Sequence, residues 1–400
     1  MSAVNPEILV WAREAAGLSV EAAAPKLGIK DARGVAAAER LIAFERGKQP
    51  SRALLLRMAK LYRRPLLTFY MRVPPRKGER GEDFRSLRGR NSDAEPLVDA
   101  LMRDVRARQS MVRTLLEDEE NVDPLAFIGS MTADEGVGAV LAAIRQTLGI
   151  DIADFRAQGT SEAAFALLRA KVEKAGVFVL LIGNLGSHHT ALDVSAFRGF
   201  ALADPIAPFV VINDQDAKSA WSFTLLHELA HLWLGASGVS GAFAEGQLER
   251  FCNDVASNFL LPSNELNLVG VNQRTDRVIA ERLIGEFAEE RLLSRSMVAY
   301  RLFRADLLSE QNWREIATSF HNAWRQSRAA QRERSRGQEG GPNYYVVRRH
   351  RLGAALLRFV ARNVSEGALT PTKAGKVLGV KPRSVGPLLN GASPAIGQAA

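Results

Sequence analysis

The sequence predicts a mostly helical α+β fold. An N-terminal helix-turn-helix domain precedes a central domain that pairs a small β-sheet with a helix carrying an HExxH motif, and a C-terminal helical basic region follows. Three observations predict it. Both ends of the 400-residue chain show short apolar runs at helical spacing closed by glycines. The middle holds three short β-branched or aromatic runs bounded by Gly, Asp and Pro. After the last of these comes an apolar helical run containing His227-Glu228-Leu229-Ala230-His231.

The elements follow in order. Asn5 is placed to cap a helix with Pro6 at its first position, and Gly17 ends it. Ser19 opens a second helix closed by Gly28; Pro25 interrupts it. AERLIAFERG forms a third helix ending at Gly47, and Pro50-Ser51 starts a fourth carrying LLLRMAKLY. Such short helices with glycine turns over residues 1–72 fit a helix-turn-helix unit. Residues 73–92, rich in Pro, Gly and charge, read as a linker. Helices are expected at 95–118, 134–149 and 161–175. The period then changes: VFVLLIG (177–183), the DVSAFRGFALAD stretch and PFVVIND (208–214) read as strands. Lys218 to Gly235 and Leu248 to Leu261 are helices, the second stopped at Pro262, and 274–330 is helical again. The central domain thus covers 93–265 and a helical subdomain 266–332. A second linker at 333–343 leads to a basic helical tail, 344–400, whose GALTPTKAGKVLGVKPRSVGPLLNG is itself helix-turn-helix-like.

Charge is uneven. The net +9 divides into +7 over residues 1–72, −7 over 73–330 and +9 over 331–400. Two basic ends around an acidic middle point to nucleic acid contact by the ends. A single cysteine, Cys252, excludes an intramolecular disulfide and points to a reducing, cytoplasmic setting. No apolar stretch approaches the roughly 18 residues of a membrane span, and the amino terminus lacks the pattern of a signal peptide.

The chemistry is concentrated in the motif. Positions i and i+4 share a helix face, so His227 and His231 can bind one metal ion with Glu228 beside them as general base. A catalytic zinc site takes three protein ligands. On the next helix, LERFCNDVASNFLLP, Glu249 is the leading candidate for the third, with Glu245, Asp254 and Cys252 as rivals. The cofactor expected is Zn2+, with Mn2+ or another divalent ion also compatible with His and carboxylate donors. Both histidines are expected beside a sheet edge, where an extended substrate could pair with a strand.

Two resemblances add to this. The pattern L-x-x-A-R-x-x-A-G-L-S, LGI, FERGKQPS-x-x-L-L-x-M-A-x-L-Y-x-x-P-L resembles the XRE family of bacterial DNA-binding domains, with Phe44 where that family usually has Trp. KDARGVAAAER lengthens the stretch that would hold the recognition helix; its neighbourhood supplies Arg33, Arg40, Arg46 and Lys48 as candidate DNA contacts. The second pattern, F-T-x-x-H-E-x-x-H-x-x-L followed by E-x-x-x-[ND]-x-x-A-x-x-x-L-L-x-P, resembles the ImmA/IrrE family of bacterial metallopeptidases. In that family the position of Cys252 holds Ala and that of Val255 holds Phe. This resemblance implies His227, His231 and Glu249 as metal ligands and Glu228 as base, in a zincin-like, gluzincin-type endopeptidase. It further implies a protein substrate, a DNA-binding repressor or antitoxin-like partner, and a role in transcriptional regulation. The alternatives are a DNA-binding transcription factor whose peptidase-like domain only senses a ligand or binds a partner, and an interaction protein with a vestigial site. His188 and His189 read as loop residues, His321 and His350 as surface residues, and Trp233 as core packing. The basic run 348–351 is as compatible with a solvated face as with phosphate contact.

Overall fold

The computed structural model describes residues 3–32, 34–75, 95–119, 122–186, 190–236, 238–240, 246–336 and 343–390. The chain divides into two compact units, Met1–Asp104 and Val105–Ala400.

The first unit holds helices α1 (Pro6–Ala15), α2 (Val20–Lys26), α3 (Ala37–Glu45) and α4 (Arg52–Leu61), then a 3-10 turn, Leu66–Tyr70. Its caps follow from the sequence. Side-chain oxygens of Asn5, Ser19 and Ser51 accept from the backbone N–H groups of Glu7, Ala22 and Leu54. Ile8, Leu9, Leu27, Leu41, Met58, Tyr62 and Phe69 form the core. Beside that core Arg13 donates to Glu45 at 2.7 Å and joins α1 to α3. The second helix was expected to break at Pro25, yet α2 runs through it to Lys26. Pro25 faces solvent, where water can satisfy the carbonyl that its missing N–H leaves open. The connection from α2 to α3 spans residues 27–36 and contains a paired turn in which Ala32 and Val35 exchange backbone hydrogen bonds. Asp31 then caps α3 by accepting from Ala37 N at 2.7 Å.

Helix α5 (Glu95–Glu117) starts in the first unit and continues in the second. The second unit continues with α6 (Gly136–Leu148), α7 (Ile152–Arg156), α8 (Ser161–Lys174), β1 (Phe178–Leu181), β2 (Gly199–Leu202), β3 (Phe209–Ile212), α9 (Lys218–Trp233), β4 (Gly238–Ser240) and α10 (Gln247–Leu260). After these come α11 (Arg277–Glu290), α12 (Arg295–Arg304), α13 (Glu310–Arg336), α14 (Tyr344–Leu352), α15 (Ala354–Ser365), α16 (Pro371–Leu378) and α17 (Val385–Leu389). Helix α13 thus continues into the stretch that the sequence assigns to a second linker, because its Gln- and Arg-rich end still has good helix formers.

The sheet runs in the order β1-β3-β2-β4, parallel between β1 and β3 and antiparallel elsewhere. Every residue of β1, β2 and β3 is buried, which is why these strands read as continuous apolar runs instead of alternating ones. Val179, Leu181, Ala201, Val210 and Ile212 join the large core with α6, α8, α9 and α10. From the next register, Phe178 meets Phe359 of α15 with ring centroids 5.9 Å apart. Gln109 of α5 donates to the carbonyls of Leu202 and Ala207. The strand before the motif helix, β3, is interior, so its hydrogen-bonding edges are both used. The expected edge beside the histidines is therefore not β3. Among the described residues no helix is long and apolar enough to cross a membrane.

Candidate metal centre

Helix α9 is buried from Ala220 to Trp233 apart from Phe223. A helix apolar on all sides is held by packing around it and not by an amphipathic face. Its C-terminal end is fixed by the segment before α6. Gly129 N and Met131 N donate to the carbonyls of Leu232 and Trp233, and Phe127 stacks on Trp233 at 4.4 Å. Trp233 is core packing, as its position in the sequence suggests. Gly235, with φ +66°, turns the chain back at a point where its Cβ would sit 3.0 Å from Gly129 Cα.

Helix α10 packs along α9 through Cys252, Val255, Ala256 and Phe259. That contact brings Glu249, in the first turn of α10, to the two histidines. A carboxylate in a first turn also sits at the end of the helix where negative charge is favoured. His227 Nε2 and His231 Nε2 lie 3.1 Å apart. Glu249 Oε2 lies 3.3 Å from the first and Oε1 3.3 Å from the second. Ligands about 2.05 Å from a tetrahedral ion stand roughly 3.3 Å from one another, so this triangle has the edge lengths that a zinc-sized ion requires. Both histidines are buried, and the Glu249 side chain is 24% exposed, which leaves the triangle open on one side. Burial raises the Glu249 carboxyl, but hydrogen bonds from the two imidazoles and their charge outweigh it and hold the group well below the ordinary carboxylate range. Among the described residues, His227, His231 and Glu249 are the cluster of potential donors able to hold a metal.

The rival third ligands separate from this cluster. Asp254 accepts from Tyr300 Oη at 2.9 Å and from Arg304 Nη2 at 2.7 Å. Cys252 is buried in the core, where burial and the Glu249 and Glu228 carboxylates push its thiol well above the ordinary range. A metal binds the thiolate, so this sulfur is poorly suited. Glu245 lies outside the described residues.

Glu228 is fully buried and its carboxylate abuts β2. A Cβ on Gly199 would approach Glu228 Oε1 to 2.7 Å and Thr224 Cγ2 to 2.7 Å. Gly199 thus leaves room for that carboxylate, a requirement that the motif does not announce. Its only signal is a glycine opening an otherwise apolar strand, GFAL.

The remaining candidates are dispersed. Arg40 donates to the Lys30 carbonyl, so it braces the α2–α3 connection. Arg46 is exposed at the end of α3, and exposed Lys48 places Nζ 5.6 Å from the Phe44 ring. Arg33 falls outside the described residues, as do His188 and His189. His350 is exposed on α14, as its place in the sequence suggests, and its carbonyl accepts from Arg169.

A buried His-His-Glu triangle beside a buried glutamate is the arrangement of a metallopeptidase-like centre. Residues 182–303 match the family model for the IrrE N-terminal-like domain, Peptidase_M78. The matched stretch contains His227, Glu228, His231 and Glu249 and supports the ImmA/IrrE peptidase family, which implies a divalent metal. No curated protein and no solved structure matches the chain significantly.

Proposed function

We propose that this chain is a zinc-dependent endopeptidase that cleaves a regulatory protein, a DNA-binding repressor or antitoxin-like partner, with the N-terminal unit contacting DNA. The observation that carries the reading is the triangle of His227, His231 and Glu249, whose 3.1 to 3.3 Å edges fit one small divalent ion.

His227, His231 and Glu249 would hold the ion, which would supply Lewis-acid chemistry for the scissile carbonyl and for acidifying the attacking water. The chain supplies the rest. Glu228, one residue after a ligand on α9, takes the proton of the attacking water at its carboxylate and returns it to the leaving amine nitrogen. Gly199 leaves the space in which that carboxylate sits. Strand β4, which among the described residues pairs with β2 alone, offers the edge on which an extended peptide can add as a further strand. This edge replaces β3 in the substrate argument.

Elemental analysis of the purified protein, joined to co-expression with candidate DNA-binding repressors, tests the reading. One equivalent of zinc and a metal-dependent fragment of a repressor are expected. A protein free of zinc, or carrying it without any fragment forming, would leave a transcription factor with a ligand-sensing domain instead.

A further inference from the structure

Helices α14 to α17 are strongly basic. Residues 344–390 hold nine Lys and Arg against a single acid, Glu366. Eight of these cations fall into two populations, and Arg358, exposed on α15, belongs to neither. Arg348 donates to the carbonyls of Leu378 and Gly379, Arg349 to that of Pro387, and Arg351 pairs with Asp214 at 2.6 Å. Arg362 pairs with Glu119. The run at 348–351 is therefore spent on bracing the helices behind it. Lys373, Lys376, Lys381 and Arg383 are different. All four are exposed, none forms an ion pair among the described residues, and all lie on α16 or between it and α17.

The backbone beneath them has a specific shape. Thr370 caps α16 with Pro371 at its first position. Gly379, with φ +60°, ends the helix, and Val380-Lys381 leads into a 3-10 turn, Pro382–Ser384, that continues as α17. The two helices are thus joined by residues 379–384, a connection that opens with a glycine and closes in the 3-10 turn. At Gly375 a Cβ would stand 2.9 Å from the Val380 carbonyl oxygen, so glycine permits the turn to fold back onto α16. Ala374, Val377, Leu378, Val385 and Leu388 are buried, and α15 supplies Leu356, Leu357 and Val360 beneath them. Three helices around a small core, with a connection opened by glycine between the last two, form a helix-turn-helix unit.

The geometry points to α15–α17 as a duplex-DNA-binding module that contacts the phosphate backbone through Lys373, Lys376, Lys381 and Arg383. The observations are independent of the peptidase reading and of the N-terminal unit. On the outward side of the 3-10 turn and α17, Pro382, Gly386 and Pro387 are exposed and have no side-chain hydrogen-bonding group, which leaves Arg383 with little company for reading base edges. Binding is accordingly dominated by phosphate contacts and differs little between sequences.

The test uses the full-length protein and a fluorescent duplex of roughly 25 bp with scrambled sequence, titrated between about 50 and 200 mM salt. Two variants are compared with the native chain: Lys373→Gln/Lys376→Gln/Lys381→Gln/Arg383→Gln, and Arg40→Gln/Arg46→Gln/Lys48→Gln. Each lost phosphate contact lowers the slope of log affinity against log salt by about 0.9, so the C-terminal variant should lose about 3 to 4 units of slope. Its affinity at about 50 mM salt should fall on the order of a hundredfold or more. Its melting temperature and zinc content should match the native protein. A slope unchanged in that variant overturns the proposal, as does a change confined to the N-terminal variant or no duplex binding at low salt. Tighter binding of single-stranded RNA, lost in the same variant, overturns the assignment to duplex DNA.

Discussion

In the α9–α10 pair the polar atoms are inside: His227, Glu228 and His231 are buried, and Glu249 reaches them from the neighbouring helix. In the α16–α17 pair the arrangement is reversed, with an apolar interior and four cations facing solvent. Each pair nevertheless depends on one glycine at a point of close approach, Gly199 beside Glu228 and Gly375 beside the Val380 carbonyl. Burying polar groups next to one another suits metal binding and proton transfer, which need a fixed geometry and little water. Exposed cations on a braced scaffold suit a polyanion, whose binding needs charge more than fixed geometry.

The largest expected effect breaks the buried pair at its base. Glu228→Gln keeps the shape of the side chain and removes the proton acceptor. Cleavage of a confirmed regulator should fall about 10²- to 10⁴-fold while zinc content stays at the native level. Retained cleavage would falsify the assignment of Glu228. Next comes the third ligand. Glu249→Ala removes one corner of the triangle, so zinc should be lost on gel filtration and the metal-dependent rise in melting temperature should vanish. An unaltered zinc stoichiometry would remove Glu249 from the site. Gly199→Val is milder in chemistry and more instructive, because it touches no metal donor. Its side chain meets Glu228 Oε1 and Thr224 Cγ2, so the carboxylate must move. We expect zinc retained and kcat reduced on the order of tenfold to a hundredfold, since a misplacement of about 1 Å has that scale of effect. Equal losses of zinc and activity would show that the glycine serves packing alone.

The comparison also explains what the sequence made legible. His227, Glu228 and His231 sit within one turn of helix, where spacing alone dictates which side chains converge, so the motif could be read directly. Glu249 required a second helix to be docked correctly; it was legible because the apolar face Cys252, Val255, Ala256 and Phe259 sets the rotation of α10. The boundaries of β1, β3, α9 and α10 were legible for the same local reasons. Strand order was not: nothing in PFVVIND distinguishes an interior strand from an edge, because pairing depends on residues far away along the chain. Gly199 escaped notice because its importance lies in a neighbour, Glu228, to which no local pattern connects it. The N-terminal unit shows the converse. Its sequence carries the closer resemblance to a DNA-binding family, yet residues 27–36 separate α2 from α3 with a paired turn. The C-terminal tail carries the looser pattern and the tighter turn.

Arg169 and Glu173 fasten the C-terminal helices to the part of the second unit that holds the sheet. Arg169 Nε donates to Glu173 Oε1 at 3.0 Å, its Nη1 to the His350 carbonyl, and its Nη2 to the carbonyls of Val179 and Arg351. Glu173 Oε2 accepts from the backbone N–H groups of Ala354 and Ala355 at 3.0 Å. The buried pair thus fastens the α14–α15 junction, where Gly353 has φ +79°, to α8 and β1. Arg169→Met leaves a buried carboxylate without its cation and should cost about 3 to 5 kcal/mol of stability. Hydrogen exchange should show lost protection in α14–α17 well before α9–α10 responds. Simultaneous loss in both pairs would mean that the second unit unfolds as a whole.

The smallest effect is a pH dependence confined to the C-terminal side. Burial, reinforced by the charges of Arg169, Lys218 and Arg351 and opposed by Asp214, holds the His350 imidazole below its ordinary value of 6.5. The unfolded chain therefore takes up this proton at a higher pH than the folded one. Stability linked to His350 is present above about pH 6.5 and declines as pH falls below it toward the folded-state value, because the unfolded state then binds more protons. His350→Gln removes the titration. Between about pH 7.5 and 5.5 the native protein should lose protection in α14–α17 that the variant keeps. Exchange in α9–α10 of metal-loaded protein serves as the internal reference. If native protein and variant lose protection equally in α14–α17, the pH sensitivity belongs to other groups and His350 only packs against Trp221, whose ring centroid lies 6.2 Å from its own.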